Sequence, residues 1–329
     1  MEFRTELKNV SLPFDIKLSD PLFFIGSCFA ENISGRFSSS KFSICSNPFG
    51  TLYNPISISE ALQDIASKTE YLESIVVENL DVFYSWKHHG SLTAMSSYDL
   101  IEKANLLNLE SHLKLVQSKY LFITLGSAWA YKLKSTGQLV ANCHKIPAQE
   151  FEKVLIDSNE IFESYKTTIP LLKELNPNLS IVFTVSPVRH SRDGLIENNR
   201  SKAELIKATH QLCEVFSFCN YLPVYEWVID DLRDYRFFEK DLVHPNQLAQ
   251  DYIWEKLNVA LFSDKTQAEL KTIKGFLSGV AHRPFNAKTK QHIAFLTKLH
   301  KTGIQLQQEL GINITNDLKE LETLISENV

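Results

Sequence analysis

Short apolar runs without polar alternation recur along the first 260 residues of the chain. The strongest are residues 22–25, 120–125 and 181–185, and each ends at a glycine or at Ser-Pro. Strands that are buried on both faces, as in parallel sheets, have this continuous apolar pattern. The pattern therefore predicts three buried strands of a mainly parallel sheet.

Segments with helical spacing separate these runs. Helices are predicted at residues 28–37, 57–66, 151–174 (one helix or two), 201–217 and after Pro245. In the second helix, Ser57 is the expected N-cap and Glu60 its capping-box partner. Two short strands are predicted at residues 42–46 and 221–224, and a hairpin insertion within residues 69–98. Strands that alternate with helices predict a three-layer α/β/α domain.

The last part of the chain has a different pattern. Residues 263–329 contain no strand-like run, are rich in Lys, Gln and Glu, and carry spaced leucines such as Leu296, Leu299, Leu318 and Leu321. This spacing predicts amphipathic helices. We therefore predict two domains, residues 1–262 and a helical C-terminal extension at 263–329. The extension is either a packing appendage or an arm that forms a homo-oligomer or binds a partner.

Composition and charge narrow the function. The chain has 329 residues, 44% of them apolar, and a formal net charge of −5. This charge gives no basic excess for broad phosphate contact, so we expect no nucleic-acid partner. No run approaches the ~18 apolar residues that span a bilayer, and the N-terminus lacks the apolar segment of a secretory signal. We therefore expect no membrane partner and a cytoplasmic location.

The cysteines favour free thiols over a metal or redox site. The five are Cys28, Cys45, Cys143, Cys213 and Cys219, and no two form a Cys-x-x-Cys pair. Such scattering argues against a zinc ribbon and against a thioredoxin-type motif. We expect thiols in a reducing compartment and no bound metal.

Two short segments carry groups suited to acyl transfer. Ser27 lies between the first strand and the helix after it, where a helix N-terminus stabilises negative charge. Asp241 and His244 are three residues apart, just before Pro245, so the carboxylate can orient the imidazole. A capping serine, a capping aspartate and a surface histidine are the alternative interpretation of these residues.

The combination of segments resembles a known family. Residues 26–30, Gly-Ser-Cys-Phe-Ala, are similar to the motif that names the GSCFA family, within the SGNH (GDSL-like) hydrolase superfamily. Other stretches resemble the same family, in the same order: residues 142–145, 186–190, 197–203, and 234–237 leading into 241–245. The resemblance covers roughly residues 20–262. It implies a flavodoxin-like sheet and a serine hydrolase without a cofactor.

The resemblance also assigns roles to residues. The nucleophile falls on Ser27, and the Asp-x-x-His block falls on Asp241 and His244. Gly50 is the best match for the second block's oxyanion glycine. The third block, normally Gly-x-Asn-Asp, corresponds to residues 126–129, where Gly126 is present and the Asn is missing. One oxyanion donor of the superfamily pattern is therefore absent.

Three other residues are candidates for the oxyanion or substrate site. Asn142 and His144 follow the third block and can return over the site, while a turn-stabilising Asn and a structural His are the alternatives. His190 follows the third strong strand at its carboxyl end, where sites form in parallel sheets. Cys28 is expected to be a packing residue.

These observations predict a serine esterase or deacylase of SGNH type. Its substrate would be a small-molecule or carbohydrate ester, an O-acetyl group on a sugar being one example. Two alternatives are open: an acyltransferase acting on a sugar or polysaccharide with the same triad, and a non-catalytic ligand-binding protein on a hydrolase fold.

Overall fold

A computed structural model describes residues 4–8 and 10–328 of the chain. The strands, in chain order, are β1 (Leu22–Gly26), β2 (Ile44–Ser46), β3 (Val76–Asn79), β4 (Val82–Ser85), β5 (Thr93–Ala94), β6 (Tyr120–Leu125), β7 (Trp129–Leu133), β8 (Leu139–Val140), β9 (Phe151–Leu155), β10 (Ser180–Val185) and β11 (Cys219–Tyr221). The helices are α1 (Cys28–Ser39), α2 (Pro55–Ser67), α3 (Ser97–Gln117), α4 (Ser158–Leu175), α5 (Leu195–Val215), α6 (Val224–Glu226), α7 (Gln247–Leu261), α8 (Asp264–Val280), α9 (Lys290–Leu310) and α10 (Thr315–Asn328).

The central sheet has the strand order β11-β10-β6-β1-β2. Strand β6 pairs in parallel with β1 on one side and with β10 on the other, and β10 pairs in parallel with β11. Helices lie on both sides of this sheet. The predicted α/β fold with a mainly parallel sheet is confirmed.

The order of the strands places a site at one edge of this sheet. From β1 the chain first adds β2 on one side, then returns to add β6, β10 and β11 on the other. Ligands of such sheets bind at the carboxyl ends of the strands where the order reverses, which here are β1 and β6. Ser27 directly follows β1, and Gly126 directly follows β6.

Two small antiparallel sheets are formed by segments that lie between β2 and β10 in the chain. Strands β3, β4 and β5 form the hairpin insertion that was predicted within residues 69–98. Strands β8, β7 and β9 form a second sheet that the sequence did not predict. The prediction of helix from residue 151 was wrong for β9 because Phe151, Val154 and Leu155 also fit a helical face. The helix begins only at Ser158, capped by Asp157.

Other boundaries differ by a few residues. The cap of α2 is Asn54, whose Oδ1 accepts the N–H of Ser57 at 2.8 Å, so the prediction of Ser57 as N-cap was wrong. Pro55 occupies the first helical position, which its fixed φ favours. The last strand of the sheet ends at Tyr221, where the predicted strand began.

The described chain divides into two compact units. The first contains Leu22–Ser34 and Cys45–Trp254, and all candidate site residues belong to it. Its core consists of the apolar side chains of β1, β6 and β10 with those of the helices, for example Phe23, Ile123 and Phe183, which are fully or almost fully buried.

The second unit contains the C-terminal helices together with Val10–Pro21 and Gly35–Ile44. As predicted, α9 and α10 are amphipathic, with Leu296 and Leu321 buried. Gly303 of α9 lets the helices approach closely, because a Cβ there would lie 2.7 Å from side-chain atoms of Leu318 and Phe276. Among the described residues, no helix combines the length and the apolar character needed to cross a membrane.

Candidate active site

Ser27 lies at a tight junction between β1 and α1. Gly26 has φ +137°, and a Cβ at this position would lie 2.1 Å from the carbonyl oxygen of Thr124. Only glycine tolerates this backbone and this approach. The Gly26 N–H donates to Oδ1 of Asn47 at 2.8 Å, so the loop after β2 fixes the end of β1. The contacts of Gly26 with β6 and with the loop after β2 therefore determine the position and orientation of Ser27.

The hydroxyl of Ser27 is buried and has no hydrogen-bond partner among the described residues. It neither caps α1 nor bonds to His244. Its backbone N–H donates to the Thr124 carbonyl at 3.0 Å, continuing the pairing of β1 with β6. A buried hydroxyl without a hydrogen-bond partner lowers the stability of the fold. Such hydroxyls are therefore uncommon, and a functional role is one explanation for them. The capping alternative does not explain this side chain.

Asp241 and His244 form a hydrogen-bonded pair in the loop before α7. Nδ1 of His244 donates to Oδ2 of Asp241 at 2.6 Å, and about half of each side chain is exposed. The other carboxylate oxygen, Oδ1, accepts the N–H groups of Val243 and His244 at 2.9 and 3.0 Å. These backbone donors, with the imidazole, lower the pKa of Asp241 to about 2. The pairing leaves Nε2 of His244 as the proton acceptor.

A cavity of about 460 Å³ adjoins this pair. His244, Cys28 and Tyr53 line it, together with side chains from the strand ends and from the second small sheet, including Trp129, Tyr131 and Asn142. This volume is typical of small-molecule sites. Cys28, which directly follows the candidate nucleophile Ser27, is part of the cavity lining.

The predicted oxyanion glycines have different surroundings. Gly126 lies against Ser27, since a Cβ on it would approach the Ser27 Cβ to 3.1 Å. Its N–H and that of Ser127 both donate to the Tyr53 carbonyl at 3.0 Å. Gly50 packs against His89, and its N–H donates to Asn47 at 2.8 Å. The structure thus places Gly126 next to Ser27 and Gly50 next to His89. Neither glycine is in the cavity lining, and both N–H groups already have carbonyl partners.

Asn142 and His144 occupy one turn but face different surroundings. Asn142 lines the cavity, and its Oδ1 accepts the N–H of His144 at 2.9 Å. No partner within the described chain takes the Asn142 Nδ2, so this amide is a candidate donor to a ligand. His144 is buried against Tyr84, and its Nε2 donates to the Ser85 carbonyl at 2.7 Å. His144 does not line the cavity, and this hydrogen bond connects it to β4 of the first small sheet.

His190 lies in the cavity wall near the site. Its ring packs edge-to-face on Tyr53, with 5.9 Å between the centroids. The backbone N–H of His190 donates to Oδ1 of Asn198 at 3.0 Å. Burial, with the charge of Lys202, lowers the pKa of His190 to about 4. This imidazole is therefore neutral near pH 7. The structure brings it together with His244 around one cavity.

Lys202 is a buried residue close to Ser27 that has no role in the predictions from the sequence. Its side chain is buried, and its Nζ donates to the carbonyls of Gly126 at 2.6 Å and Ser186 at 2.7 Å. These carbonyls lie at the ends of β6 and β10. Burial lowers the pKa of Lys202 to about 7. The sequence did contain an indication, because Lys202 falls on the buried stripe of α5 with Asn198 and Leu205.

The cysteines and histidines form no metal site in the described residues. All five cysteines are free, and no group of three His, Cys, Asp or Glu side chains is placed to hold an ion. Cys28 lines the cavity, and burial raises the pKa of its thiol. A raised pKa makes this thiol a poor nucleophile.

The fold and the site define an α/β protein with a buried serine at the switch point of its central sheet and a His–Asp pair beside a cavity. Residues 21–257 match the model of the GSCFA family, and residues 277–327 match that of the GSCFA domain protein, C-terminal domain. The chain belongs to the GSCFA family, as its motifs indicated. A comparison with curated proteins found no match.

Proposed function

We propose that the protein is a serine hydrolase of SGNH type that cleaves an ester bond with Ser27, His244 and Asp241. The observation that carries this proposal is the 2.6 Å hydrogen bond between His244 and Asp241 beside the cavity. A carboxylate that fixes one imidazole nitrogen leaves the other nitrogen as a general base. Ser27 supplies a buried hydroxyl without a partner at the switch point of the sheet.

In the proposed reaction, Nε2 of His244 takes the proton of Ser27 Oγ as this oxygen attacks the ester carbonyl. The leaving alcohol receives that proton from His244, and an acyl-enzyme remains on Ser27. Water then loses a proton to Nε2 and attacks the acyl carbon, and His244 returns this proton to Ser27 Oγ as the acid leaves. Since Ser27 and His244 are not hydrogen-bonded in the free protein, substrate binding must bring them together.

Asn142 is the proposed oxyanion donor in place of the missing third-block Asn. Its amide faces the cavity, whereas the N–H groups of Ser27, Gly50 and Gly126 already donate to carbonyls. Loss of one such donor costs a serine protease about 3–4 kcal/mol of transition-state stabilisation. An Asn142→Ala variant tests this role through its rate of acylation.

The direct test is the intact mass of the folded protein after treatment with a fluorophosphonate. We expect one adduct on the wild type, none on Ser27→Ala, and slow or no labelling of His244→Ala and Asp241→Asn. Ser39→Ala, on an exposed residue of α1, serves as the matched control and should label as the wild type does. An unlabelled wild type with an intact fold would refute the hydrolase.

Two alternatives keep the same cavity. An acyltransferase would use the same triad with a sugar hydroxyl in place of water, and added acceptor alcohol would then raise turnover. A ligand-binding protein without catalysis is favoured by one observation, the lack of a hydrogen bond between Ser27 and His244. That alternative predicts no adduct. The five free thiols support a reducing compartment for any of these activities, such as the cytoplasm.

A further inference from the structure

A buried lysine without a counter-charge lies close to the candidate nucleophile, because its acceptor Gly126 packs against Ser27. Lys202 is 2% exposed, and both of its hydrogen-bond acceptors are neutral carbonyl oxygens. Within the part of the chain that the structure describes, no carboxylate lies within ion-pair distance of its Nζ. Burial disfavours an unpaired charge, and it lowers the pKa of Lys202 to about 7. A negative charge bound from outside the chain would favour the charged ammonium form of Lys202.

Lys202 also acts electrostatically on a residue of the cavity lining. Its carbonyl acceptors belong to Gly126 and Ser186, which directly follow the neighbouring strands β6 and β10. Burial and the charge of Glu31 raise the pKa of the Cys28 thiol, whereas the ammonium of Lys202 lowers it. Cys28 lines the cavity, so the charge of Lys202 acts on a lining residue, although the charge of Glu31 has the larger effect on this thiol.

The cavity wall adds two further cations. Arg189 and Arg192 both line the cavity, and neither has an ion-pair partner among the described residues. The guanidinium of Arg189 packs over the rings of Tyr235 and Phe238, at 5.6 and 4.9 Å from their centroids. This packing restricts its position and leaves its charge uncompensated.

The acidic group in this wall is already neutralised. Asp193 lines the cavity and forms an ion pair with Lys153. The chain as a whole has a net charge of −5, so an excess of cations around one cavity is a local property and not a result of composition. Among the lining residues, the arginines carry the charges without an ion-pair partner, and such cations attract ligands of negative charge.

We propose that this cavity binds a carboxylate-bearing ligand, with Arg192 and Arg189 contacting the carboxylate and Lys202 supplying the buried charge. Guanidinium groups match carboxylates in geometry and form charge-assisted hydrogen bonds with them. If the protein is the hydrolase proposed above, its substrate is an ester that carries a free carboxylate. The ester part of this inference rests on the proposed function, and the binding of the anion does not.

Calorimetric titration with succinate tests the anion site without any turnover. We expect succinate to bind the wild type at pH 7, dimethyl succinate not to bind, and Arg192→Gln to weaken succinate binding at least tenfold. Arg233→Gln is the matched control, because this exposed arginine pairs with Asp230 and does not line the cavity. No binding, equal binding of the neutral diester, or unchanged binding in Arg192→Gln would overturn the inference.

The thiol of Cys28 reports separately on Lys202. We expect Lys202→Met to slow the alkylation of Cys28 by iodoacetamide at pH 8 at least threefold, with Cys143 in the same cavity wall as the internal reference. An unchanged ratio of the two alkylation rates in the folded variant would show that Lys202 gives the cavity no charge. Arg192 is exposed, so the titration remains decisive if Lys202→Met does not fold.

Turnover of matched esters separates this inference from the proposed function. We expect kcat/KM for 4-nitrophenyl hemisuccinate to exceed that for 4-nitrophenyl butyrate at least tenfold, and Arg192→Gln to remove the difference. Equal turnover of both esters would overturn the carboxylate preference and leave the hydrolase intact. Succinate binding without turnover or phosphonate labelling would refute the hydrolase and support the anion site.

Discussion

His88 offers a test of how the fold responds to acid. Its side chain is fully buried, and neither ring nitrogen has a hydrogen-bond partner among the described residues. The ring packs against Phe49 at 4.4 Å and Tyr71 at 4.9 Å between centroids. Burial lowers the pKa of His88 to about 3. We propose His88→Phe as the perturbation, because phenylalanine keeps the aromatic packing and cannot be protonated.

The magnitude follows from proton linkage. The unfolded imidazole titrates near pH 6.5 and the folded one near pH 3, so the unfolded state binds the proton first as the pH falls. Stability contributed by neutral His88 is therefore present above pH 6.5 and is lost progressively between pH 6.5 and pH 3. At pH 4.5 the unfolded ring is about two pH units below its pKa, which corresponds to about 3 kcal/mol.

The assay is urea unfolding at pH 7 and pH 4.5, followed by tryptophan fluorescence. The four tryptophans, at positions 86, 129, 227 and 254, all lie in the first unit, which also contains His88. The wild type should lose about 3 kcal/mol more free energy of unfolding between the two pH values than His88→Phe does. His282→Asn, on an exposed ring, should behave as the wild type. Equal losses in the wild type and His88→Phe would refute the reasoning.

Two glycine substitutions have matched controls. Gly26→Ala should prevent folding, because its Cβ would meet a carbonyl oxygen at 2.1 Å, whereas Gly137→Ala, with φ +74° and open space, should fold with a loss of about 1 kcal/mol. Soluble yield and melting temperature measure this, and similar melting of the two would contradict the role of the junction. Gly303→Ala should destabilise the helical unit by about 1–3 kcal/mol through contact at 2.7 Å. Gly275→Ala, with nothing within 4 Å, should stabilise it slightly; thermal melting by circular dichroism that ranks the two in the opposite order would exclude the packing argument.

The sequence predicted those parts of the fold where one physical requirement dominates. Strands β1, β6 and β10 are buried on both faces, and their continuous apolar runs are unambiguous. Strand β9 is buried at only one of its five positions, so its apolar residues also fit a helix. The cap of α2 was misplaced because Ser57 and Asn54 are both good caps, and only Pro55 distinguishes them.

The candidate site likewise contains residues that local sequence predicts and residues whose surroundings depend on distant segments. Asp241 and His244 lie in one short loop, so their spacing in the sequence was sufficient to predict that they form a pair. The surroundings of Gly50 and His144 depend on side chains from other segments, such as His89 and Tyr84, which no local pattern specifies. Lys202 was missed because a lysine in a helix is usually exposed, and only its place on the buried stripe of α5 indicated otherwise.

The two halves of the candidate triad differ in how much of the chain must be in place to form them. The loop of Asp241 and His244 closes on itself, since the His244 carbonyl accepts the N–H of Glu239 at 2.7 Å. Ser27 is positioned only when Gly26 pairs with Thr124 in the parallel sheet. Because short loops close faster than distant strands pair, we expect the acid–base half to form earlier in folding than the site of the nucleophile. Local unfolding that separates β1 from β6 would therefore displace the nucleophile first and leave the His–Asp pair intact.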